Sequence, residues 1–534
     1  MGKTEPDHAH PASGDAVLDC DLLVVGGGIN GAGIARDAAG RGLRVVLCEK
    51  DDLGSHTSSA SSKLVHGGLR YLEHRQFGLV RKALAEREIL LRSAPHIMRP
   101  LRFVMPHDAG ARPAWLIRAG LFLYDRLAPR AFLPASEAFE LAGHRAGLAL
   151  KPEFTRAFAY SDGWVDDARL VVLNAIDARE RGALVLPRTR CEHVARRADH
   201  WQARLRQGAS SITIAVRARA LVNAAGPWAA RFALLAAGAV DSTAAPRRTL
   251  RLVKGSHIVV PRLFDHACAY LFQHPDGRVV FALPYEGAFT LIGTTDVEFE
   301  GEPDTAAIGP DETRYLCQLA NRYFRRQIAP SDVLWSYAGV RPLLEQAPGN
   351  DGVKAAALTR DYFLERDTAG PPSLSVFGGK ITTYRKLAEE ALDWLAPLLG
   401  NRAPAWTAQA VLPGGDLFGA GQGARGVLQF ERWVTALRRR HEWLPAPLAL
   451  RYARAYGTRV EQLLDGCARL ADLGAEVAPG LYEAELRYLV EHEWVVSAAD
   501  VLWRRTKLGL HVPPGAASAV EAWLARQGAV QSRV

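Results

Sequence analysis

Near its start the chain carries an apolar run, Leu22 to Val25, that ends in Gly26, Gly28 and Gly31, the spacing GxGxxG. A stretch of mostly small residues, Ile29 to Gly40, follows, then a second apolar run, Val45 to Leu47, and then Glu49. The pattern reads as strand, tight turn, helix, strand. Glycines at such a turn let the backbone approach a pyrophosphate lying on the helix N-terminus, where Ile29 and Asn30 begin the helix. Glu49, 18 residues after Gly31, is placed to accept hydrogen bonds from the adenosine ribose hydroxyls and would repel a 2′-phosphate. The unit therefore suits FAD or NAD and disfavours NADP.

A chain of 534 residues exceeds the roughly 250 to 300 at which single cores stop growing, so two to four domains are expected. With 48% hydrophobic and 23% charged residues, the balance is that of a soluble globular protein. The net charge of +9 favours anionic partners. Six cysteines without CxxC spacing do not make a disulfide framework and point to a reducing compartment. Residues 1–18 are polar and read as a flexible tail, without the apolar core of a secretory signal. Arg118 and Asp125 interrupt the longest lipid-like run, so no membrane span is expected.

Residues 76–95 place Leu79, Val80, Leu84, Ile89 and Leu90 at helical spacing among charges, up to Pro95. From about 250 to 340 the pattern turns to β-rich pieces such as His257–Val260, Val279–Leu283 and Thr290–Gly293, and a mostly antiparallel sheet is expected there. After Pro404 the chain reads as helical. The segment 114–130 admits two readings. It is either a buried core helix or an interfacial helix on anionic lipid, with Trp115, Phe122 and Tyr124 beside Arg118, Arg126 and Arg130.

Two later segments bear on the choice between FAD and NAD. In Leu221–Trp228 an apolar strand runs into Asn223, Ala224, Ala225, Gly226 and Pro227, small enough for close approach to a dinucleotide. In Phe377–Arg385 the glycines Gly378 and Gly379 open a new helix beside Lys380 and Thr382. A helix N-terminus with a lysine can face the pyrimidine edge of a flavin and stabilise the negative charge that reduction places there.

These segments stand together with Ser59–Leu72, Leu252–Pro261, Ile292–Asp296, Gly339–Leu343, Thr359–Tyr362 and His492–Trp494. On them the chain resembles the aerobic, respiratory FAD-dependent glycerol-3-phosphate dehydrogenases over roughly residues 19–510. The resemblance implies an α/β (α+β) body of the glycine/D-amino-acid oxidase type. A Rossmann-like FAD-binding domain (19–95, 165–245 and 340–398) would interleave with an antiparallel-sheet substrate domain (96–164 and 246–339), followed by a C-terminal helical domain (399–534). It implies oxidation of sn-glycerol 3-phosphate to dihydroxyacetone phosphate by hydride transfer from C2 to FAD N5, with electrons passed to ubiquinone or menaquinone. It also implies peripheral attachment to the inner, cytoplasmic face of the cytoplasmic membrane. It leaves room for a homodimer and gives no role to nucleic acid. No flavinylation motif is evident, so the FAD is expected to be non-covalent.

Besides Gly26, Gly28, Ile29, Asn30, Gly31 and Glu49, the expected cofactor contacts are Ser59, Ser62, Lys63, His66, Gly67 and Gly68, then Ala225, Gly226, Gly339, Gly379, Lys380 and Thr382. A phosphate dianion needs fixed cations. Arg70, Arg341 and Arg360 are the candidates, because the guanidinium fork holds phosphate in bidentate fashion without losing its charge. Removal of the hydroxyl proton suits histidine. His257 is the first candidate base and His66 the second, with flavin contact as its alternative role. Tyr71 and Lys380 are placed to orient substrate and flavin. No His, Cys or carboxylate spacing argues for a metal. Two other functions remain open on the sequence: an oxygen-using glycerol-3-phosphate or amine oxidase of the same fold, and a flavin-binding module without turnover.

Overall fold

The strand Val17–Val25 is buried from Cys20 onward, and its apolar run Leu22–Val25 is what a strand covered on both faces requires. It pairs in parallel with Val45–Cys48 on one side and Thr213–Asn223 on the other. Leu184–Leu186 extends this sheet in parallel beyond Val45–Cys48, and Ser373–Gly378 does so beyond Thr213–Asn223. Tyr362–Asp367 closes one edge in antiparallel fashion. The helices Ile29–Gly40, Asp167–Glu180 and Tyr384–Leu398 supply much of the core that covers it. A computed structural model describes residues 17–531, except 74, 109–111, 209–211, 239–249, 274–277 and 345–360. The tail expected over 1–18 thus lies outside the described residues as far as position 16.

A second sheet of ten strands is antiparallel apart from the pairing of Ala269–Gln273 with Met98–Pro106. Its centre is formed by Leu250–Pro261, Phe289–Gly293, Val279–Tyr285 and Ala269–Gln273. Leu64–Val65 joins this sheet through Arg156–Val165, and Trp335–Leu344 joins it along the full length of Leu250–Val259. The two bodies therefore exchange strands inside the bounds drawn at 95 and 340. Both exchanged pieces turn out to wall the site.

The C-terminal helices include Phe430–Arg440, Ala446–Tyr456, Glu483–Glu493 and Ala516–Gln531. Their own core runs from Leu417 to Leu524. Leu399 and Leu412 pack into the dinucleotide body instead, so the independent helical core begins later than residue 399. Buried ion pairs fasten the two bodies: Asp52 accepts from Arg505 at 2.7 and 2.8 Å, and Glu493 pairs with Arg169.

The helix Ala114–Arg126 buries only Leu121 and Tyr124. Trp115 is 70% exposed and Phe122 57% exposed, which rules out the core-helix reading of this segment. Among the described residues no helix is long and apolar enough to cross a membrane.

Candidate active site

A cavity of about 850 Å³ opens where the carboxyl ends of Val17–Val25 and Thr213–Asn223 meet the second sheet. That is where open α/β sheets hold ligands, and the volume is within the range of roughly 300–1,000 Å³ usual for such sites. Gly26 and Gly28 line it. Gly26 has φ of +111°, and a Cβ there would lie 2.4 Å from the Ala224 carbonyl oxygen. A Cβ on Gly28 would meet only Ser58 Oγ, at 3.1 Å, so that glycine leaves its face to the cavity. Gly31 does not line the cavity. A Cβ on it would fall 1.8 Å from the Gly26 carbonyl oxygen, so the third glycine serves helix packing.

Glu49 lines the same cavity, and its carboxylate accepts the N–H groups of Gly27 at 2.7 Å and Asp51 at 2.9 Å. Burial raises its pKa, while those two bonds favour the charged form. Each oxygen keeps accepting capacity for a ribose hydroxyl. Asn30 Oδ1 and Ser55 Oγ, also in the wall, are buried without a partner among the described residues. Buried polar atoms in native proteins are nearly always satisfied. A glycine-lined cradle, a carboxylate at one end and unsatisfied polar atoms between fit a dinucleotide such as FAD.

At the other end the walls come from Leu250–Pro261 and Trp335–Leu344, in antiparallel register with His257 opposite Tyr337, Gly255 opposite Gly339 and Val253 opposite Arg341. With a side-chain period of two, His257, Gly255, Tyr337, Gly339 and Arg341 share one face. The facing glycines create the room. A Cβ on Gly255 would lie 2.2 Å from Arg341 Nη2, and one on Gly339 would lie 2.8 Å from Ala60 Cβ. Arg341 lies over Gly255, gripped by Asp296 and by Thr294 Oγ1 at 2.9 Å.

His257 is buried, stacked on Tyr337 at 4.7 Å and 2.9 Å from Ser62 Oγ through Nε2. Burial, with the Lys63 and Arg341 charges near it, holds the imidazole well below the usual histidine range. That shift favours the neutral ring. Lys380 Nζ stands 3.6 Å above the Tyr71 ring. Thr382 Oγ1 accepts from the His66 backbone N–H at 3.2 Å. Lys380, Tyr71, Thr382 and His66 all line the cavity, with Ala225, Gly226 and Gly379.

Several expected contacts stand outside the lining. Lys63 is buried behind the wall, donating to both oxygens of Asp167 at 2.7 and 2.8 Å and to the Ser59 carbonyl at 2.6 Å. It shapes the loop that presents Ser62, while Ser59 bonds back to His56. The Gly67 N–H donates to Tyr124 Oη at 2.9 Å. Gly68, at φ +79°, admits the Tyr71 ring, which a Cβ would meet at 2.2 Å. Arg70 is half-buried but not in the cavity wall, and Arg360 lies outside the described residues. Arg341 is the one of the three candidate arginines that the described residues place on the cavity.

Sequence reasoning missed Ser58, which accepts the Ile29 N–H at 3.0 Å, and the Thr294–Asp296 grip on Arg341, although Ile292–Asp296 is among the segments that carry the resemblance. It also missed a group of charges and rings at the Glu49 end, Lys50, His56, Trp228 and Asp304. The fold brings Glu49, Asp51 and His56 within metal-ligating distance of one another, which their spacing did not suggest. Asp51 is already paired to His56 at 2.7 Å and Lys50 at 2.5 Å. The His56 bond, with Lys50 adding to it, holds its pKa down.

The model of the FAD dependent oxidoreductase family matches residues 21–385, and that of the C-terminal domain of alpha-glycerophosphate oxidase matches 405–526. The chain is 53% identical to a glycerol-3-phosphate dehydrogenase of Pseudomonas aeruginosa, over 95% of each chain. It is 48% identical to the aerobic glycerol-3-phosphate dehydrogenase of Escherichia coli, over 94% of this chain and 97% of that one. It is also 47% identical to a D-erythritol 1-phosphate dehydrogenase of Brucella abortus, over the same shares. The solved glycerol-3-phosphate dehydrogenase of Bacillus halodurans, complexed with FAD, superposes with a TM-score of 0.74 at 28% identity, over 95% of this chain and 90% of that one. With the cradle, the carboxylate and the matched length, the chain belongs to the FAD-dependent oxidoreductases, and it carries the C-terminal domain of the alpha-glycerophosphate oxidase type.

Proposed function

We propose that the chain oxidises the C2 hydroxyl of sn-glycerol 3-phosphate to the ketone of dihydroxyacetone phosphate and passes the electrons to a membrane quinone. One observation carries this reading: an imidazole, His257, and a guanidinium, Arg341, share one sheet face and open on the cavity that fits a dinucleotide. Bound FAD supplies the hydride acceptor. Arg341 holds the phosphate, with substrate oxygens taking up accepting positions around a guanidinium now satisfied by Asp296 and Thr294. His257 takes the hydroxyl proton as the hydride leaves C2, and Ser62 and Tyr337 fix the ring. Lys380, carried at a helix opening after two glycines, stabilises the charge that reduction places on the flavin. Tyr71, under its ammonium, bounds the substrate end. The 47% identity to a D-erythritol 1-phosphate dehydrogenase makes the longer phosphorylated polyol the competitor to test.

The exposed Trp115, Leu116, Phe122 and Leu123 beside Arg118 and Arg126 support a peripheral site at an anionic membrane surface, the inner face of the cytoplasmic membrane. Tyr124 anchors that helix by donating to Asp162 at 2.8 and 2.9 Å. Turnover with a soluble quinone analogue, against peroxide formed in its absence, tests the acceptor. Stoichiometric peroxide without quinone would make the chain an oxidase instead.

A further inference from the structure

The grip on Arg341 comes from a stretch with no strand ladder of its own. Thr294–Asp296 lies between Phe289–Gly293 and Val297–Glu298, tied to the neighbouring strand by the Thr295 N–H bond to the Ser256 carbonyl at 3.3 Å and otherwise by side chains. Thr295, at its centre, is buried. Its hydroxyl accepts the Ser256 N–H at 2.9 Å and donates to Glu312 at 2.7 Å. The same carboxylate oxygen accepts from Ser256 Oγ at 2.8 Å. Its other oxygen accepts the Gly309 N–H at 2.9 Å and the Lys254 ammonium at 2.8 Å. Glu312 thus gathers four donors from three segments of the chain, next to both residues that hold Arg341.

We propose that Glu312 is a positioning residue for phosphate recognition: through Thr295 it fixes the turn whose Thr294 and Asp296 aim Arg341. The inference rests on the reading of Arg341 as the phosphate ligand. Capping of the helix Pro310–Tyr323 needs only the Gly309 bond. The other oxygen is committed to Ser256 and Thr295, which are buried outside the helix, each next in sequence to a residue of the cavity lining, His257 and Thr294. An acid is required because all four neighbours donate. A glutamine would oppose a donor to a donor on one side, and without the negative charge Lys254 would lose its counter-ion.

The test uses the holoenzyme and inorganic phosphate as probe, read as Ki against glycerol 3-phosphate. Loss of a buried hydrogen bond to a charged group implies that Glu312→Gln raises Ki and KM by about tenfold, with kcat changed much less. Thr295→Val leaves the helix cap intact and raises Ki in the same direction by a smaller factor. It keeps the idea testable if the Gln variant folds poorly. In an Arg341→Met background, Glu312→Gln adds nothing, because it acts through the missing guanidinium. A lowered melting temperature with unchanged Ki in both variants, or a full additional loss on top of Arg341→Met, overturns the proposal. An unchanged Ki in Arg341→Met alone removes the reading of Arg341 beneath it.

Discussion

The Nε2 of His257 lies 2.9 Å from the hydroxyl of Ser62, while its Nδ1 is buried without a partner among the described residues. A ring held in this way has one nitrogen fixed and little water to compete for a proton. His257→Asn should lower the limiting rate of flavin reduction by about 10²–10⁴-fold, the usual worth of a general base. Flavin content should stay that of the parent. A limiting rate within a few-fold of the parent's would pass the role to His66, the second candidate base and also on the cavity.

Lys63 tests the opposite kind of claim. Its ammonium and the Asp167 carboxylate are both buried, at 1% and 0% side-chain exposure, so Lys63→Met leaves an uncompensated charge worth about 3–5 kcal/mol of stability. Because Lys63 is behind the cavity wall, the expected defect is a lowered melting temperature and looser FAD, measured by flavin fluorescence on dilution. A stable variant with normal FAD retention and a raised KM would show that Lys63 faces the substrate after all.

The dinucleotide cradle and the two-sheet body were legible because glycine spacing and strand patterning are local properties. Gly26, Gly28 and Glu49 carry their role in their spacing, and His257 and Arg341 each sat in a segment marked by glycines. The facing pair Gly255 and Gly339 was not legible, since it depends on the register of strands about 85 residues apart. The same limit hid Glu312, whose partners span residues 254–309. Lys63 and Gly31 misled in one direction: each lies in a ligand-like motif, yet packing claims it.

The buried histidine His96 gives a pH signature. Burial, with the Arg169 and Arg454 charges, pushes its pKa down to about 3, against about 6.5 in an unfolded chain. Between those values the unfolded chain binds the proton and the folded one does not. Stability therefore falls as pH drops below about 6.5, by up to about 1.4 kcal/mol per pH unit for each such group. His96→Asn should flatten the dependence of unfolding free energy on pH between about 4 and 6 by that share. An unchanged slope would mean that His96 is protonated in the folded chain.

Membrane attachment is expected to follow the helix Ala114–Arg126. Trp115→Ser with Phe122→Ser removes apolar area that is largely exposed, and should release the protein from anionic vesicles in a flotation assay. Turnover with an artificial acceptor should be spared. Loss of the charges at Arg118 and Arg126 should act in the same direction, and more strongly at low salt. Undiminished flotation of both sets would place the attachment on another surface.

The most direct test is anaerobic mixing of the FAD-loaded protein with glycerol 3-phosphate, glycerol and D-erythritol 1-phosphate, following the flavin absorbance in a stopped-flow instrument. Glycerol 3-phosphate should bleach the flavin fast and completely, and glycerol, which offers Arg341 nothing to hold, almost not at all. Faster bleaching by the erythritol phosphate, or equal bleaching by glycerol, would contradict the proposed function.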